Sequence, residues 1–153
     1  MKPKILIITL LSYVTVNAQS LSPAEYPNYE GYYGFRDDRF EDFQQFELHV
    51  SMSKDSTPVL TAIVVFYLDS SVTSADTTCW TSAEQLYVSR DSLYFRSQEC
   101  SRDAYEFRGR FLQIPSESDS QNDEPVLGGI LTHIRNGTVI KQHSVTFSWI
   151  IGC

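Results

Sequence analysis

Long hydrophobic runs are rare in this 153-residue chain, and the one near its start, residues 5–16, has about a dozen residues. A membrane-spanning helix needs roughly 20 apolar residues, so we predict no membrane span. The run follows two lysines, Lys2 and Lys4, and ends at small residues of the kind that a signal peptidase recognises. We therefore interpret residues 1–18 as a cleavable signal peptide and expect a secreted or periplasmic protein.

Basic residues are outnumbered, with 12 Lys and Arg against 19 Asp and Glu and a formal net charge of −7. Cleavage after Ala18 removes Lys2 and Lys4 and no acidic residue, which takes the net charge to −9. A domain this acidic repels nucleic acid and anionic lipid. We predict no nucleic-acid partner and interpret the acidity as a source of solubility.

Motifs for catalysis or metal binding are also few. The three cysteines, Cys79, Cys100 and Cys153, have neither the C-x-x-C nor the Cys/His spacing of a zinc site, so no metal is predicted. No Gly-rich phosphate loop and no recognisable Ser or Cys nucleophile motif occurs. The sequence predicts no cofactor and gives no positive evidence for an enzyme, although catalytic residues can converge from separate strands.

What the chain has instead is two-residue alternation of apolar and polar side chains, which is typical of half-buried β-strands. In residues 46–53 the apolar positions are Phe46, Leu48, Val50 and Met52. Residues 59–68 are apolar on both faces, which favours a central or covered strand.

Two tight turns predict strand pairing. Arg90-Asp91 joins two strand-like segments. Asn136-Gly137 joins two more, because Asn and Gly both tolerate the positive φ of a type I′ turn. If Arg135 pairs with Thr138, the register continues through the pairs Ile134–Val139, Ile130–His143, Gly128–Val145 and Val126–Phe147. At the gap left by Gly128 we expect an aromatic ring to pack in the core rather than a ligand site.

These elements predict an all-β fold: a single antiparallel meander of about eight strands in residues 31–153, after an extended segment at 19–30. Long strands near Phe43, Val59 and Val139 favour closure into an up-and-down barrel over a two-sheet sandwich, because closure removes exposed edges.

The same reasoning favours one disulfide. Extending the Arg90-Asp91 hairpin places Cys79 diagonally from Cys100, slightly beyond disulfide reach unless a bulge or local twist intervenes. We predict a Cys79–Cys100 bond, with Cys153 free or linking two molecules as a dimer.

The segment 31–35, Gly-Tyr-Tyr-Gly-Phe, lies where the first strand of such a barrel begins. A glycine followed at the second position by a large aromatic residue resembles the Gly-x-Trp signature of lipocalin-like (calycin) proteins, with Tyr33 in place of tryptophan. The basic residue that usually covers this aromatic side chain is not evident near Trp149. The resemblance covers three residues and the strand pattern, and it implies a ligand cavity at one mouth of the barrel.

Other polar segments are assigned structural roles. Residues 35–46 predict a short amphipathic helix that closes the barrel mouth, and their carboxylates are interpreted as a solvated face rather than a calcium site. Residues 116–124 predict a hairpin loop, and Asn136-Gly137-Thr138 is formally a glycosylation sequon that the turn explains. By strand parity, His143 shares the face of Val145 and His133 does not.

The leading functional hypothesis is an exported binding module for an apolar small molecule or a protein partner. The predicted ligand-binding residues are the aromatic side chains Tyr33, Tyr105, Phe107, Phe147 and Trp149. A structural or effector protein that acts through its outer surface is the alternative. An enzyme with an acid/base pair drawn from His143, Glu106 or the arginines is a third.

Overall fold

A computed structural model describes residues 21–35, 38–68, 78–116 and 124–150, so the signal-peptide prediction, Cys153 and most of the 116–124 loop lie outside it. In this part of the chain eight antiparallel strands form one closed barrel in sequence order. The strands are β1 (Gly31–Phe35), β2 (Phe43–Met52), β3 (Pro58–Tyr67), β4 (Thr78–Val88), β5 (Ser92–Ser97), β6 (Asp103–Phe111), β7 (Pro125–Arg135) and β8 (Thr138–Ile150). The predicted all-β up-and-down barrel is confirmed, and the sandwich is excluded.

Two short 3₁₀ helices lie at opposite ends of the barrel. The first, Pro23–Asn28, lies at the upper end, where the β2–β3 and β4–β5 turns also lie. The second, Asp38–Phe40, lies at the lower end, with the Asn136-Gly137 turn. The expectation of an extended segment at 19–30 is therefore wrong for residues 23–28.

Glu25 fixes the first helix to the barrel. Its carboxylate accepts hydrogen bonds from the backbone N and Oγ of Ser22, at 2.9 and 2.7 Å, in a capping arrangement. Arg90, in the β4–β5 turn, adds an ion pair between Nε and Oε1 at 2.7 Å. The helix is thereby held beside the upper ends of β4 and β5.

We expect these contacts to be measurable as an acid-side titration. The hydrogen bonds from Ser22, followed by Arg90, lower the pKa of Glu25 from 4.5 to about 2. Because the folded-state pKa is depressed, the stabilisation is present above pH 4.5 and is lost as the pH falls toward 2. NMR titration of the Glu25 carboxyl carbon measures this pKa directly. Ser22→Ala should move it back toward 4.5; a wild-type carboxyl that titrates at the ordinary value would contradict the capping contacts.

The lower end is closed by Phe40 rather than by a regular amphipathic helix. Among the residues of this segment that the structure describes, a three-residue 3₁₀ turn forms at Asp38–Phe40, and β2 begins at Phe43. Phe40 is buried, with its ring 5.9 Å from Phe35 and 6.5 Å from Tyr105. Strand alternation then buries Phe43, so both aromatic residues reach the core without the helix that their spacing predicted.

The predicted β7–β8 register is correct at the turn and wrong beyond it. Arg135 pairs with Thr138 and Ile134 with Val139, but a bulge between His133 and Ile134 shifts later pairs by one residue. The observed pairs are Leu131–His143, Ile130–Ser144, Gly129–Val145 and Leu127–Phe147. The gap opposite Val145 is thus at Gly129, not Gly128. A side chain at Gly129 would collide with the backbone of Arg108, so β6, not an aromatic ring, occupies the space.

The Cys79–Cys100 disulfide is confirmed, and the bulge that it requires is present. The β4–β5 ladder follows the hairpin register from Val88 to Gln85 and then shifts at Ala83. The two cysteines come within a Cα–Cα distance of 6.5 Å. This cross-link ties the lower end of β4 to the loop between β5 and β6.

Candidate functional site

A ligand cavity was predicted at one mouth of the barrel, and the described residues of the interior are closely packed side chains. Eight aromatic residues of the described chain are less than 2% exposed. They are Tyr33, Phe40, Phe46, Phe66, Phe95, Tyr105, Phe107 and Phe147. Neighbouring rings lie 4.6–6.5 Å apart in stacked, tilted and edge-on pairs, as in a packed aromatic core.

Four of the five predicted ligand-binding residues belong to this core. Tyr33 stacks on Phe46 at 4.6 Å, and Phe107 meets Phe147 edge-on at 5.1 Å. Tyr105 stacks on His133 at 4.6 Å. These four rings contact one another and neighbouring core residues, so each of them is part of the packing of the core.

Tyr33 and Trp149, the residues of the lipocalin-like comparison, are direct partners in the β1–β8 ladder. The Tyr33 hydroxyl donates to the Tyr29 carbonyl at 2.8 Å, and burial raises its pKa. Trp149 is 6% exposed, and its Nε1 donates to the Glu30 carbonyl at 3.2 Å. Both rings therefore close the upper end of the barrel, and the lipocalin-like resemblance stays a prediction.

A partly buried polar network at the lower end has no counterpart among the predicted site residues. Nε2 of His133 lies 2.6 Å from Oδ1 of Asp103, and its Nδ1 lies 3.3 Å from Oδ2 of Asp42. The same Asp42 oxygen accepts the hydroxyl of Tyr105 at 2.6 Å, and Arg135 pairs with Asp103 at 2.8 Å. Burial and the Asp42 hydrogen bond raise the pKa of Tyr105. The network joins β6 and β7 to the segment before β2.

The acid/base pair suggested for an enzyme is not brought together. His143 lies on the Val145 face, as predicted, with its ring 5.7 Å from Phe40. Glu106 lies on the outer face, where it pairs with Arg108 at 2.9 Å. The barrel wall separates the two side chains. Within the described ranges no three His, Cys, Asp or Glu side chains are grouped to hold a metal ion.

The outer wall has an opening between β3 and β4. Their ladder joins only Ile63–Tyr67 to Thr78–Ser82, at the lower half of the barrel. Above it, the two strands border a cleft of about 220 Å³, with the first 3₁₀ helix at its upper side. The cleft is lined by Leu21, Tyr26, Val59, Leu60, Leu86, Tyr87 and Val88.

A second, shallower groove continues across the outer face from the same tyrosine. Tyr87, Tyr94 and Arg108 form one cross-strand row on β4, β5 and β6. The Arg108 guanidinium lies 5.0 Å from the Tyr94 ring centroid, within cation–π range. Burial and Glu106 raise the pKa of Tyr94, and the hydrogen bond to Glu106 raises the pKa of Arg108. The groove has a volume of about 430 Å³ and shares Tyr87 with the cleft.

Exposed aromatic and aliphatic residues lie along β3 and β4, with Val59 and Tyr87 at the cleft and Tyr67 and Trp80 in the paired lower part of the ladder. On β3, Val59 and Tyr67 are 40% and 38% exposed, and on β4, Trp80 and Tyr87 are 64% and 44% exposed. Tryptophan and tyrosine are the residues most often found at the energetic centres of protein interfaces. The outer face of β3 and β4 is therefore the candidate binding surface.

No helix among the described residues is long and apolar enough to cross a membrane. Comparison of the chain with protein-family models, with curated proteins and with solved structures finds no match.

Proposed function

We propose that this protein is an exported binding module that takes a protein partner on the outer face of β3 and β4. The observation that carries the proposal is the apolar opening in the barrel wall beside exposed Val59 and Tyr87. The interior offers packed rings, whereas this face offers unburied apolar area. Unburied apolar patches on soluble proteins are typical of interaction sites.

Export is supported by two independent features. The disulfide between Cys79 and Cys100 is of the kind that persists in oxidising compartments. Residues 1–18 have the charge and hydrophobicity pattern of a signal peptide.

A protein partner fits the dimensions better than an apolar small molecule does. Pockets for drug-sized ligands enclose roughly 300–1,000 Å³, and the apolar cleft, at about 220 Å³, is smaller. The groove of about 430 Å³ is large enough, but it is lined partly by polar and charged groups, including Gln85 and Arg108. Apolar side chains of a partner can enter the cleft, and other parts of the partner can extend over the groove.

Selection of a random heptapeptide phage library on the purified protein tests this function. We expect enriched peptides to lose at least about tenfold in affinity on Val59→Lys, because an ammonium group then stands at the rim of the apolar cleft. Val139→Lys is the matched control, since Val139 is 57% exposed and lies at the opposite end of the barrel. Thermal unfolding verifies that both variants fold.

Two results would overturn the proposal. One is the absence of any enriched peptide. The other is enrichment of peptides that bind the Val59→Lys variant as well as they bind wild type.

A further inference from the structure

The backbone of the opening has the arrangement of two unpaired strand edges. In the β2–β3 hairpin, the backbone N of Ser53 donates to the carbonyl of Thr57 at 2.9 Å, which sets the alternation of that ladder. Val59 and Thr61 therefore direct their backbone groups to β2. Leu60 directs its groups the other way, into the opening.

The opposite side of the opening has the same arrangement. The backbone N of Ser89 donates to the carbonyl of Ser92 at 2.8 Å, so Tyr87 pairs toward β5. Leu86 and Val88 then direct their backbone groups toward β3. The β3–β4 ladder ends below these residues, at Ile63 and Ser82.

Such edges favour one kind of occupant. Unpaired backbone N–H and C=O groups in a row bind an extended chain by strand addition, in which main-chain hydrogen bonds give affinity and side-chain pockets give specificity. A single strand inserted between antiparallel β3 and β4 runs antiparallel to one edge and parallel to the other. Its inward side chains would meet Leu60, Leu86 and Val88.

Charge at the two ends of the opening indicates what flanks that strand. Glu25 lies at the upper end, on the first 3₁₀ helix, and Glu84 lies at the lower end, where the β3–β4 ladder stops. Each carboxylate already has one arginine partner, Arg90 at 2.7 Å and Arg96 at 3.2 Å. The chain as a whole still has a net charge of −7, which disfavours acidic partners and attracts basic ones.

We propose that the β3–β4 opening binds a partner's extended segment that has apolar residues at alternate positions and Lys or Arg at its flanks. This inference rests on the proposed function and specifies how the partner binds. It predicts that heptapeptides from the phage selection share this alternation and are depleted in Asp and Glu.

Backbone N-methylation tests the strand geometry while leaving the side chains in place. The selected heptapeptide of highest affinity is synthesised with N-methyl groups at alternate residues, once in each of the two possible frames. Because each frame removes backbone donors that face one edge, we expect each to lose at least about tenfold in affinity. The unmethylated peptide with its basic flanks changed to Glu should also bind more weakly, and more so at low salt.

Hydrogen exchange gives an independent readout on the protein. On binding, the amides of Leu60, Leu86 and Val88 should become protected, because only then do they acquire hydrogen-bond acceptors. The amide of Tyr87, which already pairs toward β5, serves as the matched control and should change little.

The outcomes separate the two proposals. Peptides that require Val59 but tolerate N-methylation in both frames overturn strand insertion and leave the binding module standing. Protection of the three amides with sensitivity in both frames supports strand insertion. A protein that is dimeric by light scattering, and that releases its second copy as peptide binds, overturns the assignment to a separate partner, because a second copy then fills the opening.

Discussion

Replacing Phe147 by alanine should lower the free energy of unfolding by about 4 kcal/mol, in the range of large core truncations. Phe147 is fully buried on β8. Its ring centroid lies 5.1–6.0 Å from the rings of Phe35, Phe43, Phe46 and Phe107. Removing the phenyl group loses its buried contacts. It also leaves a cavity that the four neighbouring rings cannot easily fill.

Urea unfolding followed by circular dichroism measures the effect. Ile140→Ala is the matched control on the same strand, since Ile140 is 54% exposed, and we expect a change below about 1 kcal/mol. Phe147→Leu, which retains most of the volume, should cost about 1.5 kcal/mol. If Phe147→Ala costs less than about 1 kcal/mol, the interior is loosely packed, and a ligand inside the barrel regains support over the outer face.

Removing the disulfide should have the second largest effect. Cys79 and Cys100 are 21 residues apart in sequence, and a loop of this length gives about 3 kcal/mol of stabilisation through the restricted unfolded chain. We expect the Cys79→Ala/Cys100→Ala variant to lose about this amount. All proteins in the series would carry Cys153→Ser, so that no third thiol exchanges with the bond.

Reduction supplies the internal control for this prediction. A reducing agent should destabilise the parent protein and leave the double alanine variant unchanged. Equal stability of parent and variant under oxidising conditions would show that the lower end of β4 is held without the cross-link. Mass mapping of the unreduced protein would in addition detect any Cys100–Cys153 peptide, which would contradict the observed pairing.

The strand order was predictable because it depends on local signals. Asn136-Gly137 selects a type I′ turn from its own φ requirements, and both of its central residues have positive φ in the structure. The alternation around Phe46 and Leu48 likewise identifies the buried face of β2. The disulfide followed from the register of one hairpin, once a bulge was allowed.

The bulge between His133 and Ile134 was not predictable in the same way. The extra residue is Ile140 of β8, which has no partner in β7, and no feature of the local composition marks it. The consequence of the bulge is large, because it brings His133 into the polar network with Asp42 and Asp103. Strand parity counted from the turn assigned this histidine to the wrong face.

The candidate binding surface was predictable only in part. Residues 59–68 were predicted to be apolar on both faces of their strand, and Val59 is 40% exposed. The opening itself was hidden, since residues 59–68 and 86–88 both have the composition of continuous strands. Where two strands separate depends on twist and on closure of the whole barrel, which no local pattern encodes.

The order of the ladders also defines what barrel closure requires of the chain. Most ladders join consecutive strands and close short loops, whereas the β1–β8 ladder joins the two ends of the domain. The hydrogen bond from Trp149 to Glu30 in this region spans 119 residues. The β1–β8 ladder therefore closes the longest loop of chain and has the largest loop-closure entropy cost of the ladders in the barrel. A chain that lacks β1 or β8 would keep its hairpins. It would expose two strand edges in place of the β1–β8 ladder.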